Sequence, residues 1–361
     1  GGHSYSESRA AAFNSVEGVV ASAGIGDVGA AVQQLFDAFS ELESAPGEVG
    51  PRLAVLQAGE ELTELMNHHA TTLTEHQNQF EGRAVSEVTS INRLAATVAT
   101  LNERILQLEA GGQQAADLRA QRTAAIEDLS RLGPVRFAES VDGSARVIFA
   151  EHSIVEGGTT RDLQLVPDPV TGLSQIHISM SSSTLDITST IDSGELGATL
   201  QLRDTVIPGV LANLDALAFN VATEVNTLHA AGFGLDGVTG RDFFVAPAAL
   251  GGSALALELD LAVIDTPNAI AAASTPGGVP GDNSNATAIF ALSETLVMSA
   301  GTQTFNSFWA TALSSLGHDS ATAQNDEIRA EMELSAALDV RDSASGVVLE
   351  EEALDLLRYQ D

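Results

Sequence analysis

The chain contains no cysteine and no lysine. Without cysteine it can form no disulfide bond, thiolate metal site or cysteine nucleophile. All 16 basic residues are arginine, against 49 Asp and Glu residues, which gives a formal net charge of −33 at pH 7. Nucleic acids and anionic lipids both attract basic surfaces, so this charge disfavours both as partners. We therefore expect no nucleic acid and no membrane among the partners.

Long apolar runs and aromatic residues are also scarce. No run of 18 apolar residues occurs, so the sequence predicts no membrane-spanning helix. The first four residues, Gly1–Ser4, lack the charged segment and apolar core of a signal peptide. Aromatic residues make up 4% of the 361 residues and Trp309 is the only tryptophan, which favours thin helical packing over a deep aromatic pocket. The length suggests about two domains.

The N-terminal third of the chain has the apolar periodicity of helices. Helices are predicted over Glu7–Val20 and over Val28–Leu42, with Asp27 as the N-cap of the second. A much longer helix is predicted from Pro51 to about Leu108, roughly 80 Å at 1.5 Å per residue. Its second half carries a coiled-coil-like stripe: Val85, Val88, Ile91, Leu94, Val98, Leu101, Ile105 and Leu108. Gly111-Gly112 marks a turn, after which a helix to Leu132 completes a predicted helical hairpin.

After Gly133-Pro134 the apolar period changes from helical to alternating, which is typical of strands. The alternating residues include Val135, Phe137, Val147, Phe149, Leu163, Leu165, Ile176 and Ile178. Helix is predicted again from about Gly194 to Ala231, followed by a short β-rich insert that includes Leu255–Leu259. Four further helical stretches are predicted: one that starts near Ala286 and is capped by Asp282-Asn283-Ser284, then Gln303–Leu316, Ala321–Val340 and one beginning near Leu349.

This order predicts an α+β fold: an elongated helical bundle with inserted small β domains. Long coiled-coil-like helices from both chain ends have to pair, because neither half carries enough partners by itself. We expect residues 1–132 to be the N-terminal part of a helical rod and residues 133–192 to be an inserted β domain. Residues 193–361 are expected to be the C-terminal part, with a small β-rich insert at about 233–280.

Two motifs suggest ligand sites. Gly24-Ile25-Gly26-Asp27-Val28-Gly29 matches G-x-G-x-x-G, but a dinucleotide site needs a following parallel strand and a long helix is predicted instead. A helix–helix linker capped by Asp27 is the favoured interpretation. The segment Asp236–Asp242 resembles a Ca²⁺ loop but lacks oxygen ligands at alternating positions, so a Gly/Asp turn is favoured.

Two side-chain clusters are also interpreted as structural. His68, His69 and His76 cannot all reach one Zn²⁺ from a helix, so we expect exposed polar residues there. The run Glu350–Glu352 fits a helix N-terminus, where negative charge is favourable. The sequence therefore predicts no catalytic, cofactor-binding or metal-binding residue and no enzyme activity.

Three stretches of the chain resemble the flagellar hook-associated protein 1 family, in the family's order and near its spacing. The first stretch contains Leu101–Ile105 and Asp117–Arg122. The second contains Ser193–Asp204, Leu217–Asn220, Asn226–Phe233 and Asp242–Phe244. The third contains Gly281–Ala286, Gly301–Phe305, Val340–Ser343, Ser345–Val347 and Leu349–Gln360. The resemblance covers residues from about 27 to 361. The β region is shorter than in larger members, and the family's terminal helices lie beyond both ends of this chain.

The resemblance implies a structural subunit that joins the hook of the bacterial flagellum to its filament. Partners would be the flagellar hook protein, the second hook–filament junction protein and further copies of the same chain in a ring of about eleven. It also implies type III export without a cleaved signal peptide, an extracellular location, and an export chaperone that binds the missing C-terminal segment. Without the terminal helices we expect this piece to be a monomer.

Other functions remain open from the residues alone. A flagellin-like or hook-like axial subunit would share the helical body, although the Gly301–Phe305 segment and the Arg341–Ser343 and Ser345–Val347 segments argue against it. A surface adhesin or binding module would instead use solvent-facing β domains. An enzyme is disfavoured because the predicted β insert is small and carries no cluster of metal ligands.

Overall fold

The structure is a computed structural model that describes residues 2–20, 27–140, 143–180 and 183–345. Its helices are α1 Gly2–Val20, α2 Val28–Ser44, α3 Val49–Ala110, α4 Ala116–Leu132, α5 Gly194–Gln201, α6 Ile207–Ala231, α7 Leu261–Ile264, α8 Ser284–Phe290 and α9 Phe305–Ser345. Its strands are β1 Val135–Glu139, β2 Ala145–Phe149, β3 His152–Glu156, β4 Thr159–Thr160, β5 Leu163–Pro167, β6 Ser174–Ser179 and β7 Thr184–Asp186. Helices from both chain ends therefore flank a central group of strands, which confirms the expected α+β class.

The chain forms two compact units, and each is assembled from separate stretches of sequence. The first unit contains Gly1–Ala11, Ala84–Ala198 and Ala321–Asp361. The second contains Ala12–Arg83 and Thr199–Ser320. The expected division at residues 132 and 192 remains a prediction.

The apolar stripes predicted for the long helices are buried. All six stripe residues of α2 are buried: Val28, Val32, Leu35, Phe36, Phe39 and Leu42. Along α3 the stripe is buried from Val88 to Ile105, and only its end members Val85 and Leu108 are exposed, each at 37%. Burial of these side chains supplies the hydrophobic free energy that a helix of 62 residues needs to be stable.

Gly59 of α3 has a packing role. A Cβ atom at this position would lie 2.9 Å from Leu259 Cδ2 and 3.0 Å from Phe243 Cζ. The absence of a side chain lets these two apolar groups approach the α3 backbone. Phe243 also packs edge-on against Phe39, with ring centroids 5.6 Å apart.

The strands of the first unit form two antiparallel sheets, with the orders β1-β2-β3-β4 and β5-β6-β7. Arg136 of β1 lies opposite Ile148 of β2, and Ala138 lies opposite Arg146. The β2–β3 register shifts between Val147 and Ile148. These strands contain the residues whose alternation predicted them.

Residues 233–280 are not β-rich, contrary to the expectation. In this fully described range the structure contains helix α7, short 3₁₀ turns and isolated bridges, namely Phe233 with Ala273 and Phe244 with Leu259. Within the stretch Leu255–Leu259, Leu255 is exposed and Leu257 and Leu259 are buried, while the pairing is limited to the bridge at Leu259. Burial of alternate residues against neighbouring segments produces the same pattern as a half-buried strand.

The break predicted after Leu316 is also absent, because α9 runs without interruption from Phe305 to Ser345. Gly317 lies inside the helix, where a single glycine costs only about 1 kcal/mol relative to alanine. The final helix predicted near Leu349 lies outside the described residues.

One described helical stretch, Gly194–Ala231, is long and apolar enough to cross a membrane by length and composition, and 44% of its most apolar window is buried inside the protein. It comprises α5, a π-helical turn over Leu202–Val206 and α6. Arg203 in the turn is 2% exposed and forms ion pairs with Glu81 and Asp204. A buried, internally paired arginine fits a core helix better than a helix facing lipid.

Candidate assembly site

Of the three histidines considered as metal ligands, only His68 is exposed as expected. His69 is 1% exposed, so the expectation that it is an exposed polar residue was wrong. His76 is half-buried, with Nδ1 3.4 Å from the hydroxyl of Ser15. Within the described residues no group of three or more His, Asp and Glu side chains could hold a metal ion.

The glycine-rich motif and the loop around Asp236 both have structural roles where they are described. Gly24 to Gly26 lie outside the described residues, whereas Asp27 caps α2 by accepting a 2.9 Å hydrogen bond from Gly29 N. The carboxylate of Asp236 accepts hydrogen bonds from Val238 N at 3.1 Å and from Arg241 at 2.7 Å. These contacts are those of a cap and of a Gly/Asp turn. Glu350–Glu352 lie outside the described residues.

In the first unit, buried Asn102 joins α3 to the strands. Its amide nitrogen donates to the carbonyl oxygens of Ala145, at 2.7 Å, and Gly157, at 2.8 Å. Its amide oxygen accepts from Ala145 N at 2.9 Å and from Arg122 at 3.0 Å. The side chain is fully buried and satisfies backbone groups that would otherwise be buried without partners. The α3 helix is thereby fixed to β2 and to the turn after β3.

An ionic network surrounds this anchor. Arg122 of α4 also donates to Glu139 of β1 at 3.0 Å, and Arg119 binds Glu139 as well as both carboxylate oxygens of Glu109 at 2.8 Å. Hydrogen bonds from Arg122 and Arg119 hold the pKa of Glu139 below its ordinary value. The network ties the end of α3, α4 and β1 together.

Asn92 makes the same kind of contact ten residues earlier on α3. Its nitrogen donates to the Leu163 carbonyl at 2.9 Å and its oxygen accepts from Leu163 N at 2.8 Å. The amide thus pairs with the backbone at the start of β5 as a neighbouring strand would. Asn92 and Asn102 therefore attach both sheets to one helix.

The second unit uses buried polar side chains of α6 in the same way. Asn226 accepts from the backbone nitrogens of Phe243 and Phe244, both at 2.9 Å, and donates to the Phe244 carbonyl at 2.8 Å. His229 Nδ1 lies 2.7 Å from the Arg241 carbonyl, and its Nε2 accepts from Ala271 N at 3.0 Å. Because both ring nitrogens bond backbone, the imidazole is neutral with its proton on Nδ1. Burial lowers the pKa of His229 from 6.5 to about 4.

Two buried arginines complete the second unit. Arg52 of α3 is 1% exposed and donates to the carbonyl oxygens of Ile270 and Pro46. Burial lowers the pKa of Arg52 to about 10, so it remains charged at neutral pH. Arg52 and Arg203, whose ion pairs are given above, therefore hold loops and helices of this unit together.

The exposed apolar side chains are the other feature that can support assembly. In the β region, Phe137 is 60% exposed and Val170 is 90% exposed. On α9, Ile328, Met332 and Val340 are exposed by 55%, 62% and 67%. Exposed apolar side chains next to an internally braced framework are suited to binding another protein rather than to chemistry.

Sequence reasoning missed the anchoring residues. Asn92, Asn102, Asn226 and His229 sit inside predicted helices, where asparagine has low propensity. That mismatch between residue type and element was the available signal. The two stretches that contain Asn102, Asn226 and His229 were nevertheless among those that carry the family resemblance.

Comparison with known protein families shows to which family the chain belongs. The model of the flagellar hook-associated protein FlgK helical domain matches residues 13–244, more than half of the chain. The chain belongs to the FlgK family. This family comprises structural flagellar proteins and not enzymes.

Curated FlgK relatives match over different lengths. The chain is 23% identical over 389 residues to flagellar hook-associated protein 1 of Bacillus subtilis, covering 99% of this chain and 76% of that protein. It is 26% identical over 220 residues to the same-named protein of Salmonella typhimurium, covering 59% of this chain and 40% of that protein. The Escherichia coli protein is 27% identical with the same coverage. The chain therefore spans about three quarters of the Bacillus relative but less than half of the enterobacterial ones.

A solved FlgK structure has the same fold. The flagellar hook junction protein FlgK from Burkholderia pseudomallei superposes with a TM-score of 0.79, covering 94% of this chain and 99% of that chain. Sequence identity is 14%, so the structural similarity supports a shared fold and nothing further.

Proposed function

We propose that this chain is a structural subunit of the junction between the flagellar hook and filament, and that it acts by binding its neighbours without catalysing a reaction. The observation that carries the proposal is the match of residues 13–244 to the FlgK helical domain. The side-chain hydrogen bonds and ion pairs that attach strands and loops to helices within each unit support it. A subunit that transmits force between assemblies needs such attachments, because its segments must not separate from its helices.

The partners follow from the same proposal. The hook protein would bind on one side and the second junction protein on the other, with about eleven copies closing a ring. An export chaperone would bind the C-terminal segment of the protein. Export would use the flagellar type III apparatus, placing the protein outside the cell.

Charge is consistent with an extracellular ring. Copies that each carry −33 repel one another at low ionic strength. At an ionic strength of ~0.15 M the screening length is about 8 Å, so closely packed copies tolerate their like charge much better. The ring should therefore be more stable in salt than in dilute buffer.

Deletion of the gene in the source bacterium tests the function. We expect cells that still assemble hooks, lack filaments and release unassembled filament protein into the medium. Complementation with the intact gene should restore filaments. Normal filaments in the deletion strain would contradict the proposal, and loss of hooks as well would place the protein earlier in assembly.

A further inference from the structure

The arginines of this acidic chain fall into two groups. Ten of the described arginines take part in an interaction within the chain: Arg9, Arg52, Arg83, Arg119, Arg122, Arg131, Arg203, Arg241, Arg329 and Arg341. Five others are exposed and form no ion pair with any described residue: Arg93, Arg104, Arg136, Arg146 and Arg161. All five of these lie within residues 93–161 of the first unit.

The second unit is strongly acidic. Its residues 12–83 and 199–320 contain 22 Asp and Glu residues and four Arg, a formal charge of −18. Three of these arginines, Arg52, Arg203 and Arg241, bind groups within the unit, and Arg83 also has an interaction within the chain. The surface of the second unit therefore offers many carboxylates and no free arginine among its residues, all of which are described except 21–26.

Two of the five free arginines form a compact patch. Arg136 of β1 lies opposite Ile148, and Arg146 of β2 lies opposite Ala138, so both arginines are on one face of the sheet in diagonal positions. Such neighbours have their Cα atoms about 7–8 Å apart. Two guanidinium groups at this spacing can bind two carboxylates at once, and guanidinium is well suited to that geometry.

The patch is accessible. Arg136 lines an open cavity of about 730 Å³ together with Glu151 and Asp192, neither of which forms an ion pair with it. Among the described residues, the one polar contact of the Arg146 side chain is 3.4 Å from Nε to the hydroxyl of Ser153.

We propose that Arg136 and Arg146 bind carboxylates in residues 12–83 or 199–320 of a second copy of this chain. The inference rests on the proposed ring. A head-to-tail contact joins two different surfaces of the same protein, so one copy can present free cations where the next presents excess acid. No described arginine of the second unit is free, so a contact between two second units would bring like charges together. The arginine patch provides an attractive electrostatic contact between copies that each carry a formal charge of −33.

The absence of lysine provides a specific test. The doubly substituted chain, Arg136→Lys with Arg146→Lys, keeps the charge and introduces lysine amines at the patch, whereas residues 1–361 otherwise contain no lysine. A water-soluble carbodiimide activates carboxylates and joins them to amines in direct contact, forming an amide bond. Flagella isolated from bacteria that produce this variant as the sole copy are treated with the reagent and analysed by denaturing electrophoresis and peptide mass spectrometry.

We expect a band at twice the mass of the single chain and peptides that join an introduced lysine to an Asp or Glu within 12–83 or 199–320. The matched control is Arg131→Lys, because Arg131 is exposed and pairs with Asp128 of its own helix at 3.6 Å. That variant should link within one chain and give no dimer band. The unsubstituted protein reports any coupling through its terminal amine.

The remaining outcomes separate the two proposals. If the variant is present in the flagella but forms no dimer, or links only to a different protein, the arginine contact is wrong and the proposed function stands. If the unsubstituted protein is itself absent from isolated flagella, the proposed function fails, and the arginine contact fails with it.

Discussion

Buried polar side chains hold backbone segments in place in both units. Among them, His229 is the residue whose protonation makes the stability of the fold depend on pH. The unfolded chain takes up a proton on this residue below about pH 6.5. The folded protein resists protonation until about pH 4, because the buried ring already bonds two backbone groups. The neutral ring therefore stabilises the fold fully above pH 6.5, and this contribution is lost progressively between pH 6.5 and 4.

We expect the free energy of unfolding to fall by about 3 kcal/mol over that range through His229, since each pKa unit corresponds to ~1.4 kcal/mol. Urea unfolding of the protein and of His229→Gln at a series of pH values measures the difference. Equal slopes for the two proteins would contradict the account. An NMR titration of the folded protein gives the pKa of His229 directly, and a value near 6.5 would also contradict it.

Ala300 is a second residue whose local conformation has a measurable cost. Ser299, Ala300 and Gly301 have positive φ angles of 51°, 56° and 83°. This left-handed conformation costs a non-glycine residue roughly 1–2 kcal/mol. Ala300→Gly should therefore stabilise the protein by about 1 kcal/mol in chemical unfolding.

The control for Ala300→Gly is Ala336→Gly, which places glycine at an exposed position inside α9. We expect that change to destabilise the protein by up to about 1 kcal/mol. If both substitutions destabilise the protein equally, the strain assigned to Ala300 is wrong.

At the scale of elements, the asparagine anchors determine how sheets attach to helices. Asn102→Ala leaves the buried Ala145 amide and carbonyl without their side-chain partner and also removes the hydrogen bond to the half-buried Gly157 carbonyl. Each buried group left unsatisfied costs ~1–3 kcal/mol, so we expect a loss of at least about 2 kcal/mol.

The matched control is Asn220→Ala, because the Asn220 side chain donates to the Ala216 carbonyl of its own helix at 2.7 Å and to no other described residue. It should change the free energy of unfolding by less than about 1 kcal/mol. Hydrogen exchange should show faster opening of β2 in the Asn102 variant alone. Unchanged exchange there would mean that Asn102 does not hold the strand.

The elements themselves were largely predictable from the sequence, and their connections were not. The α2 and α3 stripes and the alternation along β2 and β6 were visible because periodicity depends on local residue order. Residues Leu255–Leu259 alternate too, yet they form an isolated bridge and no strand, since alternation records burial and not the pairing partner. The anchors at Asn92 and Asn226 bind groups far along the chain, 71 and 17–18 residues away, which local patterns cannot show.

At the scale of the whole molecule, the excess of acid dominates. A formal charge of −33 on one folded chain is self-repelling, and the unfolded chain relieves that repulsion by expanding. We expect the melting temperature to rise by several degrees between about 0.05 M and about 0.5 M NaCl, because the screening length shortens from about 14 Å to about 4 Å. Near the isoelectric point the salt effect should largely disappear. A melting temperature that falls with salt at neutral pH would contradict this expectation.

The central claim is that this chain sits where hook meets filament. Gold-labelled antibodies against residues 135–186, the strand-bearing region, can be applied to isolated hook–filament complexes and viewed by electron microscopy. The account predicts one narrow band of label at the junction and none along the hook or the filament. Label distributed along either structure, or label absent from complexes that contain an intact junction, would contradict it.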